Sequence, residues 1–446
     1  MTPALAFRGS LLHLLRDPGD AAASDAVRHF EDGVLVVRDG RIVEAGSARD
    51  VLARLPADAA VKDYSGKLLV PGFVDCHIHY PQTDMIASHG AQLLEWLERY
   101  TFPTERRFDD PGHAREVADF FLDELLRNGT TTALVLGTVH PQSVDAIFEA
   151  SRVRGLRMIA GKVLMDRNCP EYLRDTARSG YAESRDLIER WHGRDRLLYA
   201  VTPRFAPTSS AEQLEGAGRL AEEFPGVYVH THLAENRSEV AWVKELFPSS
   251  RSYLDVYAGF GLVRRRSVFA HCIHLDDAER RLMAERGASA AFCPASNLFL
   301  GSGLFDLRRT REHAIAVGLG TDVGAGTSFS MLRTMQEAYK VARLGGQALP
   351  PYQALYLATL GGAQALDLAD RIGNFEPGKE ADFVVVDLAA TPLLERRLRQ
   401  ARDLAEKLFA WIMLGDDRSV VATYASGKQV YSACGNSIFA CAEGSD

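Results

Sequence analysis

Apolar runs rich in β-branched residues alternate with amphipathic stretches through the middle of the chain. The apolar runs predict eight strands, which end near His79, Gly137, Met165, Phe205, Glu235, His274, Ser296 and Asp322. The amphipathic stretches predict helices, which include residues 111–127, 142–154, 210–224, 276–286 and 329–343. Glycine or asparagine follows several of these stretches, as expected where a helix ends.

Eight alternations of strand and helix predict a parallel sheet covered by helices. Eight is also the number of strands that closes a (β/α)8 TIM barrel of about 250 residues. The alternative is an open, doubly wound sheet, which is disfavoured because no GxGxxG motif follows a predicted strand. We therefore expect an α/β protein in which residues 71–375 form a (β/α)8 barrel.

The two ends of the chain show a different pattern. Short apolar runs there flank Asp-Gly or Ser-Gly pairs, which are typical of tight hairpin turns. The strand segments are residues 33–46, 381–387 and 420–431. Because both ends are β-rich and bracket the predicted barrel, we expect residues 1–70 and 376–446 to form one small β-sandwich domain.

Composition narrows the functional classes. The 446 residues are 46% apolar and 25% charged, which is ordinary for a globular protein. The net charge of −8, with no basic block, disfavours a nucleic-acid-binding surface. No run of about 18 apolar residues predicts a membrane span, and residues 1–20 lack the apolar core of a signal peptide.

The cysteines are scattered along the chain and form no CxxC pair. They are Cys76, Cys169, Cys272, Cys293, Cys434 and Cys441. This spacing favours reduced thiols over a disulfide framework, so we expect a cytoplasmic protein.

Two histidines, His77 and His79, end the apolar run PGFVDCHIH at residues 71–79. Residues i and i+2 of a strand point to the same side, so the two imidazoles would face one point. Imidazole suits zinc, and a catalytic zinc site uses about three protein ligands plus water. The pair therefore predicts part of a metal site.

Other polar residues end predicted strands at the same mouth of the barrel, where TIM-barrel active sites lie. They are His232, His271 and Asp322. On the fifth predicted strand His230 shares a face with His232, but His232 is nearer the mouth, so we assign it to the metal and expect His230 to be structural. His274 presents a similar ambiguity beside His271.

A ligand set of three imidazoles and one carboxylate suits Zn²⁺ or Fe²⁺ better than Mg²⁺ or Ca²⁺, which prefer oxygen ligands. A metal of this kind lowers the pKa of its water from about 15.7 to about 7. Glu235 lies just beyond His232 and can move protons at such a site. Its alternative role is that of an acidic residue in the first turn of a helix.

These motifs resemble the amidohydrolase superfamily and, within it, the guanine deaminases. The features typical of the superfamily are residues 71–79, 232–235 (HLAE), 270–272 (AHC), 320–322 (GTD) and 378–382 (GKEAD). The features similar to guanine deaminases are residues 81–82 (PQ), 93–97 (LLEWL), 100–105 (YTFPTE), 202–207 (TPRFAP), 296–298 (SNL) and 302–303 (SG). The resemblance covers nearly the whole chain.

The resemblance implies zinc-dependent hydrolysis of guanine at C2 to xanthine and ammonia, in a homodimer active in purine catabolism or salvage. It assigns one zinc to the ligands His77, His79, His232 and Asp322. It makes Glu235 the proton shuttle, His271 a partner of the attacked centre and Asp322 a proton acceptor, and it gives purine binding to Gln82, Arg204 and Phe205. Arg204 and Phe205 also end the fourth predicted strand, where an arginine can donate to a purine carbonyl.

Two alternatives remain open from the sequence. One is a deaminase of a related amino-heterocycle, such as 8-oxoguanine, a pterin or a triazine. The other is a catalytically inactive binding protein, which is disfavoured because the whole metal and proton-transfer set is present. The HxE and PCxxC class of zinc deaminases is excluded, since Cys293-Pro294 has no PCxxC continuation. Arg204 in place of a lysine on the fourth strand favours one metal over two.

Overall fold

The computed structural model of the protein describes residues 3–20, 24–56, 59–90 and 92–433. The strands are β1 (Leu5–Leu14), β2 (Val27–Arg38), β3 (Arg41–Ser47), β4 (Ala60–Pro71), β5 (Phe73–His79), β6 (Thr130–Leu136), β7 (Arg157–Gly161), β8 (Val163–Leu164), β9 (Leu198–Pro203), β10 (Tyr228–Leu233), β11 (Ser267–His271), β12 (Ser289–Phe292), β13 (Val317–Leu319), β14 (Phe383–Val386), β15 (Val420–Ala425) and β16 (Lys428–Ser432).

The α-helices are α1 (Ala48–Leu52), α2 (Leu93–Trp96), α3 (Phe102–Arg106), α4 (Pro111–Arg127), α5 (Pro141–Arg154), α6 (Ala177–Trp191), α7 (Ala211–Glu223), α8 (Arg237–Leu246), α9 (Tyr253–Gly259), α10 (Asp277–Arg286), α11 (Pro294–Phe299), α12 (Leu307–Glu312), α13 (Met331–Leu344), α14 (Pro351–Ala358), α15 (Leu360–Ala365), α16 (Pro392–Leu398) and α17 (Leu404–Leu414). One π-helical turn, Leu97–Thr101, joins α2 to α3. Short 3₁₀ turns are Ser24–Ala26, Tyr80–Met85, Arg107–Asp109, Glu171–Leu173, Ala206–Thr208 and Asp417–Ser419.

Eight parallel strands form the barrel in the order β5, β6, β7, β9, β10, β11, β12 and β13, and β8 pairs with β9. The first and last strands meet through two backbone hydrogen bonds of 2.9 Å, from the Asp322 N–H to the His77 carbonyl and from the His79 N–H to the Val323 carbonyl. The predicted (β/α)8 barrel is therefore confirmed. Its interior is filled by side chains in layers, as β10 illustrates with Tyr228, His230 and His232 on one face.

The helices predicted from periodicity are present within two residues of the expected bounds, as α4, α5, α7, α10 and α13. Their ends follow local chemistry. Ser210 caps α7 by accepting from the Gln213 N–H, and Gly155 ends α5 at a φ of 66°, where a side chain would be strained. The buried faces of these helices pack on the outside of the barrel, which holds the strand ends in place.

The second sheet contains strands from both chain ends in the order β16, β15, β14, β4, β1, β2 and β3. It is one continuous hydrogen-bonded sheet with separate apolar clusters beside its strands. The predicted hairpins are present, with left-handed turn residues at Asp39-Gly40 and Ser426-Gly427. The domain bounds themselves stay predictions, and residues 434–446 lie outside the described residues.

Buried ion pairs join the second sheet to the barrel. Arg157, at the start of β7, donates its Nε to Glu380 at 2.9 Å, and its Nη2 also pairs with this carboxylate. Arg196, just before β9, donates its Nε to Glu380 at 3.0 Å and pairs with Asp382. These contacts lie at the amino ends of the barrel strands, which is the end opposite the predicted site.

None of the helices in the described ranges is long and apolar enough to cross a membrane. Four cysteines within those ranges are free thiols, namely Cys76, Cys169, Cys272 and Cys293. Cys434 and Cys441 lie outside the described residues. The prediction of reduced thiols therefore agrees with these four cysteines.

Candidate metal-dependent active site

The polar residues predicted to converge do so at the carboxyl ends of the barrel strands. His77 and His79 end β5, His232 lies on β10, His271 ends β11, and Asp322 follows β13. Four of these side chains are buried and His232 is nearly so. Residues far apart in sequence thus meet because parallel strands all end at one mouth.

The donor atoms of the predicted ligand set lie at similar separations. The Nε2 atom of His79 is 3.3 Å from Nε2 of His77 and 3.2 Å from Nε2 of His232. The Oδ1 atom of Asp322 is 3.2 Å from His77 Nε2 and 3.4 Å from His79 Nε2. A tetrahedron with ligands about 2.0–2.1 Å from its centre has edges of about 3.3–3.4 Å. His77, His79 and Asp322 therefore fit one face of a site for a zinc-sized cation, and His232 lies at the same distance from His79.

Hydrogen bonds behind the imidazoles leave their lone pairs facing the cluster. The Nδ1 of His232 donates to the Arg204 carbonyl at 2.7 Å, which leaves its Nε2 unprotonated in the neutral ring. The Nδ1 of His77 lies 2.7 Å from Nε2 of His230, in the layer below. Burial lowers the pKa of His79 to about 4 and also lowers the pKa values of His77 and His232, so the rings are neutral and each can offer a lone pair.

The structure thus places His232 in the cluster and His230 behind His77. His230 contributes no ligand atom to the cluster, because its Nε2 is hydrogen-bonded to Nδ1 of the His77 ring. This arrangement supports the choice of His232 over His230. The HxH pattern at residues 230–232 indicates that both imidazoles lie on one face of the strand, but it does not say which of them reaches the cluster.

Glu235 lies beside the cluster without joining it. One carboxylate oxygen accepts from the Ser302 hydroxyl at 3.0 Å, and the other lies 3.4 Å from Nε2 of His271. Burial, with a smaller contribution from the Asp322 charge, raises the pKa of Glu235 to about 8. A carboxyl group with a pKa near neutrality can both accept and donate a proton, as a shuttle requires.

Two further residues orient this pair. Asn297 presents its side-chain oxygen 2.9 Å from Nδ1 of His271, which directs Nε2 of that ring toward Glu235 and Asp322. His274 donates from Nε2 to the Ser302 carbonyl at 3.0 Å and so holds the loop that carries the Ser302 hydroxyl. The sequence assigned no role to Asn297 or His274. The available signal was the resemblance of residues 296–298 (SNL), which contain Asn297, and 302–303 (SG), which contain Ser302, to guanine deaminases.

His271 also lies within reach of a metal-sized centre. A ring nitrogen of His271, a ring nitrogen of His77 and a carboxylate oxygen of Asp322 form a second group within 4.8 Å of one another. The distance from Nε2 of His271 to Asp322 Oδ2 is 3.8 Å, longer than the four separations given above for the predicted ligands. His271 therefore lies at the edge of the cluster, between Asp322 and Glu235.

A cavity opens directly above the cluster, and the three predicted substrate residues line it. Gln82 comes from the 3₁₀ turn after β5, and Arg204 and Phe205 follow β9. The sequence reasoning left out other lining residues, namely Leu93, Trp96, Leu97, Glu239, Leu300 and Ala325. The cavity therefore combines an apolar surface with a few polar groups, as expected for a small flat ligand.

The chain is similar to known proteins over nearly its whole length. Residues 68–430 match the profile of the Amidohydrolase family. Guanine deaminase of Escherichia coli (strain K12) is 56% identical over 96% of this chain and 97% of that protein. The solved structure of the E. coli enzyme has a TM-score of 0.94 and covers 96% of this chain and 99% of that one.

Two other solved structures are relevant to the site. Guanine deaminase from C. acetobutylicum, with guanine bound in its active site, is 30% identical with a TM-score of 0.87 over 96% of this chain and 100% of that one. An adenosine deaminase from Xanthomonas campestris with bound zinc is 26% identical and has a TM-score of 0.82. The match covers 95% of this chain and 92% of that one. By sequence and by fold, the chain belongs to the amidohydrolase family.

Proposed function

We propose that the protein is a guanine deaminase, which hydrolyses guanine at C2 to xanthine and ammonia. The observation that carries the proposal is one cavity in which a His/Asp cluster, a shuttle carboxylate and a polar wall of Gln82 and Arg204 face the same space. The 56% identity to the E. coli guanine deaminase supports this substrate. Resemblance to the C. acetobutylicum enzyme, whose active site holds guanine, supports it further.

The cofactor proposed for the site is one zinc per chain, held by His77, His79, His232 and Asp322, and Fe²⁺ is the alternative with the same ligand preference. Bound there, such a cation acts as a Lewis acid and makes water a nucleophile at neutral pH. The neutral imidazoles and the close spacing of the donor atoms support this assignment.

The chain's own residues move the protons. Glu235 takes one proton from the attacking water and gives it to ring N3 as the oxygen bonds to C2. Asp322 accepts the second proton of the former water and relays it to Glu235. Glu235 passes this proton to the exocyclic amine, so that the C–N bond breaks and ammonia leaves. The N3 proton stays on xanthine. His271, at 3.4 Å from Glu235, steadies the tetrahedral centre through its Nε2.

We assign the choice of substrate to the polar side chains of Gln82 and Arg204 and to the aromatic ring of Phe205. Arg204 and Gln82 donate hydrogen bonds to the C6 carbonyl oxygen of guanine, and Phe205 contacts the purine face. Adenine has no C6 carbonyl, so these buried donors would lose their acceptor. Mismatches of this type change selectivity by roughly 10⁴ or more.

The proposal is tested by ammonia release from the purified, metal-assayed protein, with guanine, 8-oxoguanine, adenine and cytosine offered separately. We expect strong preference for guanine and about one metal per chain. Comparable release from 8-oxoguanine would shift the assignment to a related amino-heterocycle. No release from any base by metal-loaded protein would reject the deaminase proposal for purines.

The cellular setting is also proposed. The four free thiols of the described ranges support a cytoplasmic enzyme of purine catabolism or salvage. The homodimer is proposed from the family resemblance. Sedimentation equilibrium on the purified protein measures its mass against the 49.0 kDa of one chain.

A further inference from the structure

We propose that Glu105 is a positioning residue that turns Arg204 and Gln82 into a fixed wall of hydrogen-bond donors, and thereby sets selectivity for a ring carbonyl. Glu105 does not line the cavity but lies directly behind the two residues that do. The inference rests on the proposed function, because the carbonyl in question is the C6 oxygen of guanine.

The first contact is a buried ion pair. Nη1 of Arg204 lies 3.0 and 2.8 Å from the two oxygens of Glu105, and Nη2 lies 3.0 Å from Oε1. Glu105 is fully buried and Arg204 is 2% exposed, so neither charge is screened by water. The carboxylate therefore fixes the plane of the guanidinium and cancels its net charge at the cavity wall.

The second contact of Glu105 fixes the orientation of the Gln82 side-chain amide. Nε2 of Gln82 donates to Oε1 of Glu105 at 3.1 Å, and Oε1 of Gln82 accepts from the Gly324 N–H at 3.2 Å. The reverse orientation would set the amide oxygen against a carboxylate oxygen and the amide N–H₂ against an N–H. Glu105 thus keeps the donor end of Gln82 beside Arg204.

Donors remain for a ligand after these contacts. A guanidinium has five N–H groups, and Arg204 makes three contacts to Glu105, so at least two N–H groups are left. Gln82 has a second N–H on Nε2. Both residues line the cavity, so the wall presents donors to a ligand. Such a wall can donate hydrogen bonds to a carbonyl oxygen of the ligand. It disfavours an amino group at the same position, because N–H groups would then face N–H groups.

The helical segment that carries Glu105 is shaped to reach the wall. The Phe102 N–H bonds to the Leu97 carbonyl, five residues earlier, in the π turn Leu97–Thr101. A regular α-helix would place Glu105 about 80° around from Leu97, which lines the cavity. The extra residue in the π turn removes about 100° of rotation, so both side chains face the barrel mouth.

The same segment supports Arg204 from a second side. Phe102, three residues before Glu105 on α3, places its ring 5.6 Å from the guanidinium carbon of Arg204. The guanidinium carbon thus lies over an aromatic ring, while the guanidinium N–H groups bond to a carboxylate. Both supports come from one short helix, so the wall is assembled only when this helix packs on the barrel.

The test compares the binding of two unreactive purines. Hypoxanthine carries the C6 carbonyl without the C2 amine, and purine lacks both groups, so neither is deaminated at C2. Dissociation constants for both ligands are measured by titration calorimetry on the metal-loaded wild type and on Glu105→Gln. We expect the wild type to prefer hypoxanthine by at least about tenfold, and Glu105→Gln to lower that preference about tenfold, with the KM for guanine rising more than kcat falls.

Two outcomes would overturn the inference: equal affinity for the two ligands in the wild type, or an unchanged ratio in Glu105→Gln. Because binding is measured without turnover, a wild type that fails to release ammonia from guanine rejects the proposed function separately. Should Glu105→Gln fail to fold, Glu105→Asp keeps the charge but shortens the reach, and its ratio is expected to fall by a smaller factor. An unchanged ratio in that variant would also overturn the inference.

The matched control is Glu380→Gln, which removes another buried, arginine-paired carboxylate at the opposite end of the barrel. This variant is expected to lower stability and to leave the hypoxanthine-to-purine ratio at the wild-type value. A fall in the ratio there would mean that general loosening of the fold, and not Glu105, sets selectivity.

Discussion

The chemistry of the site depends on which nitrogen of each imidazole carries its proton. His77 offers Nε2 to the cluster when its Nδ1 proton is donated to His230, at 2.7 Å. His232 does the same by donating from Nδ1 to a backbone carbonyl. Partners behind ligating histidines orient the rings, and their loss typically lowers metal affinity about 10–100-fold.

His230→Ala is therefore expected to weaken metal binding about 10–100-fold without removing a ligand. Competition with a chelator of known affinity, followed by metal analysis, measures the change. The control is His313→Ala, a histidine outside the cluster that precedes β13. Its Nδ1 bonds to the Arg309 carbonyl and its Nε2 lies 3.7 Å from an oxygen of Asp277. Wild-type metal affinity in His230→Ala would contradict the assigned role.

Glu235→Gln is expected to keep the metal and to lower kcat by about 10²–10⁴-fold, because an amide can neither accept nor deliver the proton. Steady-state ammonia release, together with metal content per chain, checks both parts. Undiminished turnover would reject the shuttle role. Loss of metal together with activity would instead place Glu235 among the ligands.

At the scale of elements, close packing between neighbouring strands decides where the site residues stand. A Cβ added at Gly161, the last residue of β7, would lie 1.8 Å from the Ala200 carbonyl oxygen of β9. That oxygen belongs to the backbone and cannot move away without distorting the strand that precedes Arg204. The glycine therefore permits the close approach of two barrel strands.

Gly161→Ala is expected to destabilise the protein by about 1–3 kcal/mol or more, because the barrel must open locally to admit one methyl group. The shift in urea midpoint measures the effect. Gly259→Ala, at the end of α9, has open space around the added Cβ and should stay within about 0.5 kcal/mol of the wild type. Equal midpoints for the two variants would contradict the packing argument.

At the scale of the whole molecule, Glu380 joins the second sheet to the barrel. Burial by itself would raise the pKa of Glu380, but the hydrogen bond from Arg157 and the charge of Arg196 outweigh it and lower the pKa. A carboxylate with a lowered folded-state pKa stabilises the protein above its unfolded value, about 4.5, and the contribution is lost as pH falls through the folded pKa.

Glu380→Gln is accordingly expected to cost about 3–5 kcal/mol at neutral pH, since it leaves Arg157 buried without a counter-charge. The difference in denaturant midpoint between wild type and variant should shrink as the pH is lowered from 5 toward the folded pKa. Unfolding curves across that pH range measure it. A difference that stays constant with pH would show that the ion pair does not stabilise the junction.

Much of the fold was accessible from sequence because its signals are local. The apolar period that predicts α4 or β5, and the Asp-Gly turn at residues 39–40, act over a few neighbouring positions. The candidate ligands were accessible for a related reason. Parallel barrel strands all end at one mouth, so a histidine at a strand end needs no further information to be placed there.

Glu105 was not accessible in this way. It lies 99 residues before Arg204, and its direction depends on a π turn that a regular helical period does not reveal. His230 and Ser302 act only through the atoms that face them, namely His77 Nδ1 and a Glu235 oxygen. Sequence by itself determined the barrel, the sheet from both chain ends and the set of candidate metal ligands. Tertiary structure alone decided which nitrogen, oxygen or amide end each residue presents, because hydrogen bonds between distant segments set those directions.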